Sequence, residues 1–322
     1  KGLTYLAQTQ RANGSWMNRG GYGSYPVTMT SLAGLALLCG GSTPESGPYA
    51  KEVTKAMHYV LNVAEAHDDG LICGPGGEGR SMYGHGFGML FLAQCYGTEL
   101  DRDTEQRIKT ALDKAVQLTA RAQSDTGAQN RHAGGWIYTP TSNGDEGSVT
   151  VTQLQALRAC RNAGVSVPKS TIDRAVLYLK VCQNADGGIA YSFRNRGRSR
   201  PPISAAAIAC FYAAGVYDRQ AGGTGEEAEM VGKLVRYCKQ NAMPVTRMSG
   251  HTFYGTLYLA QALYQRGGED WDAFYPQICR FLYGRQNSDG SWQGDNVGTT
   301  YGTAIATIVL QLPYGYLPIY QR

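Results

Sequence analysis

Two kinds of apolar run alternate along this chain. Runs at 3–10, 49–66, 104–123, 170–183, 226–240 and 273–286 set apolar residues at three-four spacing with Lys, Arg, Asp and Glu between them. The stretch Thr171-Ile-Asp-Arg-Ala-Val-Leu-Tyr-Leu-Lys180 is representative, and its pattern predicts a helix with one wet face. Runs at 29–39, 87–96, 149–163, 203–215, 253–264 and 301–312 are almost free of charge, as in Ser204-Ala-Ala-Ala-Ile-Ala-Cys-Phe-Tyr-Ala-Ala-Gly215. A helix apolar on every side is buried on every side. Paired in order, the runs predict six helical hairpins, at about 1–40, 48–97, 104–164, 169–216, 226–267 and 270–313. The expected architecture is all-α, a single (α/α)6 toroid with an inner ring of buried helices and an outer ring of amphipathic ones.

The hairpins share a phrase. A Gln ends the wet-faced run, a polar turn follows, and a Gly comes next with Trp or another apolar residue behind it: Gln10-Arg-Ala-Asn-Gly14-Ser-Trp16, Gln183-Asn-Ala-Asp-Gly187-Gly-Ile189 and Gln286-Asn-Ser-Asp-Gly290-Ser-Trp292. Weaker copies stand at Ala66-His-Asp-Asp-Gly70 and Gln123-Ser-Asp-Thr-Gly127, the second followed by Gly134-Gly-Trp136. Recurrence of this kind marks one supersecondary unit used repeatedly. Trp16, Trp136 and Trp292 are therefore read as structural. Gly164 is read as the stop of one inner helix and Ser170 as the N-cap of the next outer one.

Composition narrows the function classes. The chain has 322 residues, enough for a large core in one domain, and no linker or low-complexity tract divides it. A net charge of +5, with basic residues spread over the outer runs, gives no case for nucleic acid. No apolar run approaches the ~18 residues of a membrane span. The 8 cysteines include no C-x-x-C pair or metal-like spacing, so they read as small hydrophobes. Free thiols are compatible with cytoplasm. The start at Lys1, inside a helical pattern, reads as trimmed or processed, so a lost targeting signal leaves localisation open.

The phrase resembles the QW-type repeat of squalene cyclases, and the six-hairpin pattern resembles the prenyltransferase and squalene-oxidase repeat proteins, whose fold is an α/α toroid. Met82-Tyr-Gly-His-Gly-Phe87 and Val149-Thr-Val-Thr-Gln153 are also similar to segments of uncharacterised planctomycete-type repeat proteins. The resemblance implies residues that can be sought. The acidic D-x-D-D string of class II terpene cyclases does not occur; Asp145-Glu146 is the nearest acidic pair. His251-Thr-Phe-Tyr254 resembles the His segment of the protein-prenyltransferase zinc site, but Ile203-Ser-Ala stands where an Asp-x-Cys pair is expected. Neither a metal nor a cofactor is implied. The thioester motif of complement-type domains is absent as well.

In a closed toroid all inner helices run one way, and their N-termini present free N–H groups and positive dipole ends at a common mouth. Anionic ligands are favoured there. The connections bring Tyr22, Tyr25 and Thr28 in unit one, Arg80, Tyr83 and His85 in unit two, and Tyr138, Asp145 and Glu146 in unit three. Unit four brings Arg194, Arg196, Arg198 and Arg200, unit five His251 and Tyr254, and unit six Asp295 and Tyr301. His85 and His251, three hairpins apart, are expected to face each other across the ring. The candidate catalytic residues are His85, His251, Tyr83, Tyr254, Asp145 and Glu146. The candidate binding residues are Tyr25, Arg194, Arg196, Arg198, Arg200 and Tyr301.

Three functions stay open on these residues. One is a cyclase- or prenyltransferase-like protein holding a small hydrophobic or anionic ligand, such as an isoprenoid with its diphosphate on the Arg run. A second is a lyase on acidic glycans, with Tyr and His as base and acid and arginines neutralising a uronate. The third is a non-catalytic binding or scaffold module.

Overall fold

The structure, a computed structural model, describes residues 1–17, 21, 23–74, 78–98, 100–124, 134–243, 248 and 250–321. Twelve α-helices occupy the described residues. The outer ones are α1 (Gly2–Thr9), α3 (Ala50–Glu65), α5 (Arg102–Ala122), α7 (Lys169–Val181), α9 (Gly225–Asn241) and α11 (Gly268–Tyr283). The inner ones are α2 (Pro26–Cys39), α4 (Ser81–Cys95), α6 (Gly147–Asn162), α8 (Pro201–Ala213), α10 (Thr252–Arg266) and α12 (Thr299–Gln311). Each inner helix packs on the next, and α12 packs on α2, which closes the ring into an α/α toroid. Every residue of α2 after Pro26 is buried, whereas α5 buries only its apolar stripe.

The recurring phrase is the seam between units. The Gln side chain closes its own turn and reaches the next outer helix: Gln10 Nε2 donates to Gly14 O at 3.0 Å and Glu52 O at 2.8 Å, and Gln123 Nε2 to Gly134 O at 2.8 Å and Thr171 O at 2.9 Å. Gln183 does the same toward Gly187 and Met230. At Gly14, with φ +88°, an added Cβ would lie 2.2 Å from Lys55 O, so both the conformation and the close approach exclude a side chain. Gly290 meets Lys1 in the same way, sealing unit six to unit one. The Trp indole N–H satisfies a carbonyl of the outer helix's last turns: Trp16 to Leu6 at 2.8 Å, Trp136 to Thr119 at 2.8 Å and Trp292 to Leu282 at 2.7 Å. In the copy at 123–136, residues 125–127 lie outside the described residues.

Several boundaries depart from the pattern. α4 begins at Ser81, not 87, because Gly84, Gly86 and Gly88 sit in tight contacts with neighbouring elements: a Cβ on Gly86 would lie 2.6 Å from Thr152 Cγ2 of α6, and one on Gly88 2.8 Å from Ile72 Cγ2. Packing overrides the low helix propensity of glycine there. α11 begins at Gly268 and carries Pro276 inside it. Ser170 is not an N-cap; α7 starts one residue earlier, after Pro168, with no side-chain cap. Gly164 does end α6, with φ +81° and Val165 N–H returning to Cys160 O at 2.9 Å.

After α12 the chain folds back across the far end of the ring through two short 3₁₀ turns, Leu312–Tyr314 and Pro318–Tyr320, the second touching both α6 and α10. Ile319 and Tyr320 are buried there. All eight cysteines are free thiols, seven of them buried. Among the described residues no helix is long and apolar enough to cross a membrane.

Candidate functional site

The inner helices enter the ring with one side chain each at a common level. Thr28, Tyr83, Ser148, Pro202, Tyr254 and Tyr301 all line a central cavity of about 540 Å³. Two residues further along lies a seam position. Thr30, Thr150 and Thr303 hydroxyls and the Ser204 hydroxyl accept the backbone N–H of Trp16, Trp136, Trp292 and Ile189 at 2.8–3.1 Å. In unit two this seam position is His85.

His85 therefore does not reach the cavity, and the expectation that it faces His251 is corrected. Its Nδ1 accepts Ile72 N–H at 3.2 Å and its Nε2 pairs with Thr119 Oγ1 at 2.9 Å, between α4 and α5. Thr119 Oγ1 in turn donates to Ala115 O, which fixes a neutral imidazole protonated on Nε2. Full burial lowers its pKa to about 4. His251 instead precedes α10 and lines the rim. The two histidines occupy different repeat positions. Matching Tyr83-Gly84-His85 with Tyr254-Gly255-Thr256 and Tyr301-Gly302-Thr303 exposes this in the sequence.

Asp145 is also placed away from the cavity. Its carboxylate accepts the Tyr178 hydroxyl at 2.9 Å and the Phe193 N–H at 2.5 Å, and Arg194 Nε lies 3.8 Å away. It pins the unit-four loop to unit three. Three of the four clustered arginines follow that loop outward. Arg194 donates to Asn143, Arg196 donates to the carbonyls of Val181 and Gln183 at the end of α7, and Arg198 is exposed. The antiparallel bridge between Ala190 and Ser199 closes the loop that carries these three arginines. Arg200 alone of the four lines the cavity, its guanidinium 4.6 Å from the Tyr191 ring centre.

Tyr25, Tyr83, Tyr254, Tyr301 and His251 line the cavity. Tyr22 lies outside the described residues. Arg80, at the N-cap of α4, mirrors Arg200 by stacking on Tyr138 at 4.6 Å. Between the two arginines runs a hydroxyl chain: Tyr83 OH to Ser148 Oγ at 2.7 Å, Ser148 Oγ to Tyr191 OH at 3.0 Å, and Tyr191 OH to Tyr138 OH at 3.4 Å. Glu146 lies beside Tyr191 and Tyr138, and burial raises its pKa. Burial pushes Tyr83 up to about 12 and Tyr254 well above its ordinary value, so both phenols stay protonated.

Asp295 lines the opposite rim in a positive-φ conformation, φ 43°, unusual for a non-glycine residue. Its carboxylate holds the Phe253 N–H at 3.1 Å, and burial raises its pKa despite the backbone donors. Deeper walls are Met29, Phe87, Ile203, Leu257 and Ile305. The thioether of Met248 completes that side. Ser148 and Pro202, on the first turns of α6 and α8, and the loop residues Tyr191 and Met248 are cavity residues that the sequence pattern missed. Among the described residues no cluster of His, Cys, Asp or Glu suits a metal ion.

Fold and cavity define an α/α toroid with a central pocket opening at the inner-helix N-termini. No protein-family model and no curated protein sequence matches the chain, so the planctomycete-type resemblance has no support from either. Solved structures do match. The GH76A α-1,6-mannanase from Salegentibacter sp. HEL1_6 superposes with a TM-score of 0.67 at 11% identity, over 96% of this chain and 97% of that one. The type II terpene cyclase MstE from Scytonema gives 0.62 at 14% identity, over 98% and 96%. A protein from Actinoplanes gives 0.60 at 15%, over 96% of both. Variants of the mannanase and the cyclase are known with α-1,6-mannotriose and geranylgeranyl dihydroxybenzoate bound. At such identities the likeness establishes the toroid fold.

Proposed function

We propose that this chain binds an amphiphile of isoprenoid type, its apolar body in the toroid cup and its anionic head between Arg80 and Arg200. The observation that carries this reading is the change of wall with depth. Arg80 and Arg200 stand at the first turns of α4 and α8, and Phe87, Leu257 and Ile305 line the next turns down. Apolar walls reward burial of hydrocarbon at about 25 cal/mol per Å². Guanidinium groups already stacked on tyrosines lose little freedom on taking an anion. The positive ends of the inner helices act in the same direction. The terpene cyclase that shares this fold holds a prenylated substrate, which accords with the reading.

Of the candidate catalytic residues, Glu146 lies behind Tyr191 rather than on the cavity wall, and burial raises its carboxyl pKa, the direction that proton donation needs. Tyr83 and Tyr254 act as neutral hydrogen-bond donors to the bound head. His85 and Asp145 are assigned to the frame. Titration calorimetry with farnesyl diphosphate, farnesol and inorganic diphosphate tests the proposal. Farnesyl diphosphate is expected to bind at least about tenfold tighter than either fragment. Equal affinity for inorganic diphosphate would remove the role of the apolar cup.

A second reading, an enzyme on acidic glycans, draws on the aromatic lining together with Arg80 and Arg200, which suit a uronate. The mannanase neighbour with its oligosaccharide shares the fold. Against it, a lyase base must accept a proton near neutrality, and burial holds Tyr83 and Tyr254 protonated. Appearance of an unsaturated, ultraviolet-absorbing product from polyuronates would favour this second reading.

A further inference from the structure

Beneath the cup, at the far end of the ring, the chain's own C-terminal segment packs across α6 and α10. Along α10, His251 precedes the first turn at the rim and Tyr254 and Leu257 line the cavity. Tyr258 lies beneath Tyr254, their ring centres 5.0 Å apart and their planes at 63°, and it is only 3% exposed. One turn further down, Gln261 Nε2 reaches Gln155 Oε1 of α6 at 3.1 Å, so the two helices are joined through the interior of the ring. The same Gln261 amide donates to Ile319 O at 3.4 Å, and Gln265 donates to it at 3.2 Å. These bonds hold the segment 317–321 across the ring, where the turn Pro318–Tyr320 packs on both α6 and α10 and Tyr320 is buried. The cup is thus about two helical turns deep, roughly 10 Å from His251 to Tyr258 at 1.5 Å per residue.

We infer that Tyr258, backed from below by Tyr320 of the C-terminal segment, sets the length of apolar chain this toroid accepts. The inference rests on the amphiphile reading and adds its selectivity. A side chain fixed from above by Tyr254 and from below by a strapped segment cannot swing aside at small cost, because close-packed interiors transmit displacement to their neighbours. A ligand longer than the cup must leave its terminal isoprene in water or displace the floor. Removing the Tyr258 ring, or the Tyr320 ring that supports it, opens space directly below the deepest wall residues.

The test compares binding of geranyl, farnesyl and geranylgeranyl diphosphate to wild type, Tyr258→Leu and Tyr320→Ala by titration calorimetry. Wild type is expected to bind geranylgeranyl diphosphate no more tightly than farnesyl diphosphate. Tyr258→Leu is expected to shift that ratio by about tenfold toward the longer chain, as one more buried isoprene allows. Tyr320→Ala is expected to shift it in the same direction by a smaller factor. Tyr258→Phe, which keeps the ring, is expected to retain the wild-type ratio and serves as the folded control. If wild type binds the diphosphates and both cavity-opening variants keep its length ranking, the floor assignment is overturned alone. If wild type binds none of the three, the amphiphile reading falls and the floor assignment falls with it.

Discussion

The seam and the mouth of this toroid use the same repeat in opposite ways. At the seam, Gln10, Gln123, Gln183 and Gln286 all donate to the carbonyl of their own turn glycine. Two residues past that glycine, Trp16, Trp136 and Trp292 all return an N–H to the outer helix. At the mouth, the six side chains at one level are Thr28, Tyr83, Ser148, Pro202, Tyr254 and Tyr301. Backbone groups impose the same demand in each of these units, and a buried donor or acceptor left unmade costs about 1–3 kcal/mol. The ligand-facing positions carry no such shared demand. Uniform chemistry therefore marks the frame, and varied chemistry marks the site.

Seam substitutions sharpen the contrast most. Trp136→Ala is expected to cost about 4 kcal/mol, since a fully buried indole and its bond to Thr119 O are both lost. Denaturant melts with and without the change read that loss.

His85 gives a pH test of whether it belongs to the frame. Its folded pKa of about 4 lies below the unfolded value near 6.5, so the unfolded chain binds more protons between those values. Its contribution is whole above pH 6.5 and falls as pH drops toward 4, by about 3 kcal/mol at most. Glu78 works the other way, because burial raises its carboxyl to about 7 and folding gains as it protonates. The difference between wild type and His85→Thr isolates the histidine. Threonine at this position keeps an acceptor for Ile72 N–H, as Thr30 does for Trp16. His85→Thr is expected to flatten the acid loss, measured by melts at several pH values.

Gly14→Ala is expected to destabilise by about 2 kcal/mol, because φ +88° is strained for alanine and the new Cβ meets Lys55 O. Gly97→Ala, at φ +81° with open space around the Cβ, is expected to cost about 1 kcal/mol. Their difference measures the close approach alone. At the mouth, Arg200→Ala is expected to move stability by no more than about 0.5 kcal/mol, as its side chain is exposed.

The frame was largely legible in the sequence, since charge spacing separates wet-faced helices from buried ones and the phrase recurs in five of the six units. Helix starts were less legible where glycines serve packing, as at Gly84 and Gly88. Part of the mouth was legible from the helix starts, at Tyr25, Tyr83, His251, Tyr254 and Tyr301, whereas Ser148 and Pro202 at the same level of α6 and α8 carried no chemistry that marked them. It failed where a loop's course depends on a distant partner. The capture of Phe193 N–H by Asp145 directs Arg194 and Arg196 outward, and nothing local to Arg194-Asn-Arg-Gly-Arg-Ser-Arg200 encodes that bond.

The separation of frame from site is tested most directly in the double variant Arg80→Ala with Arg200→Ala. Its denaturation midpoint and its affinity for farnesyl diphosphate are measured on the same preparation. An unchanged midpoint with binding weakened by at least about tenfold is the predicted result, as loss of charge-assisted bonds to the head group requires. Unchanged binding, or a loss of binding matched by a comparable loss of stability, would contradict the assignment of these arginines to a ligand site.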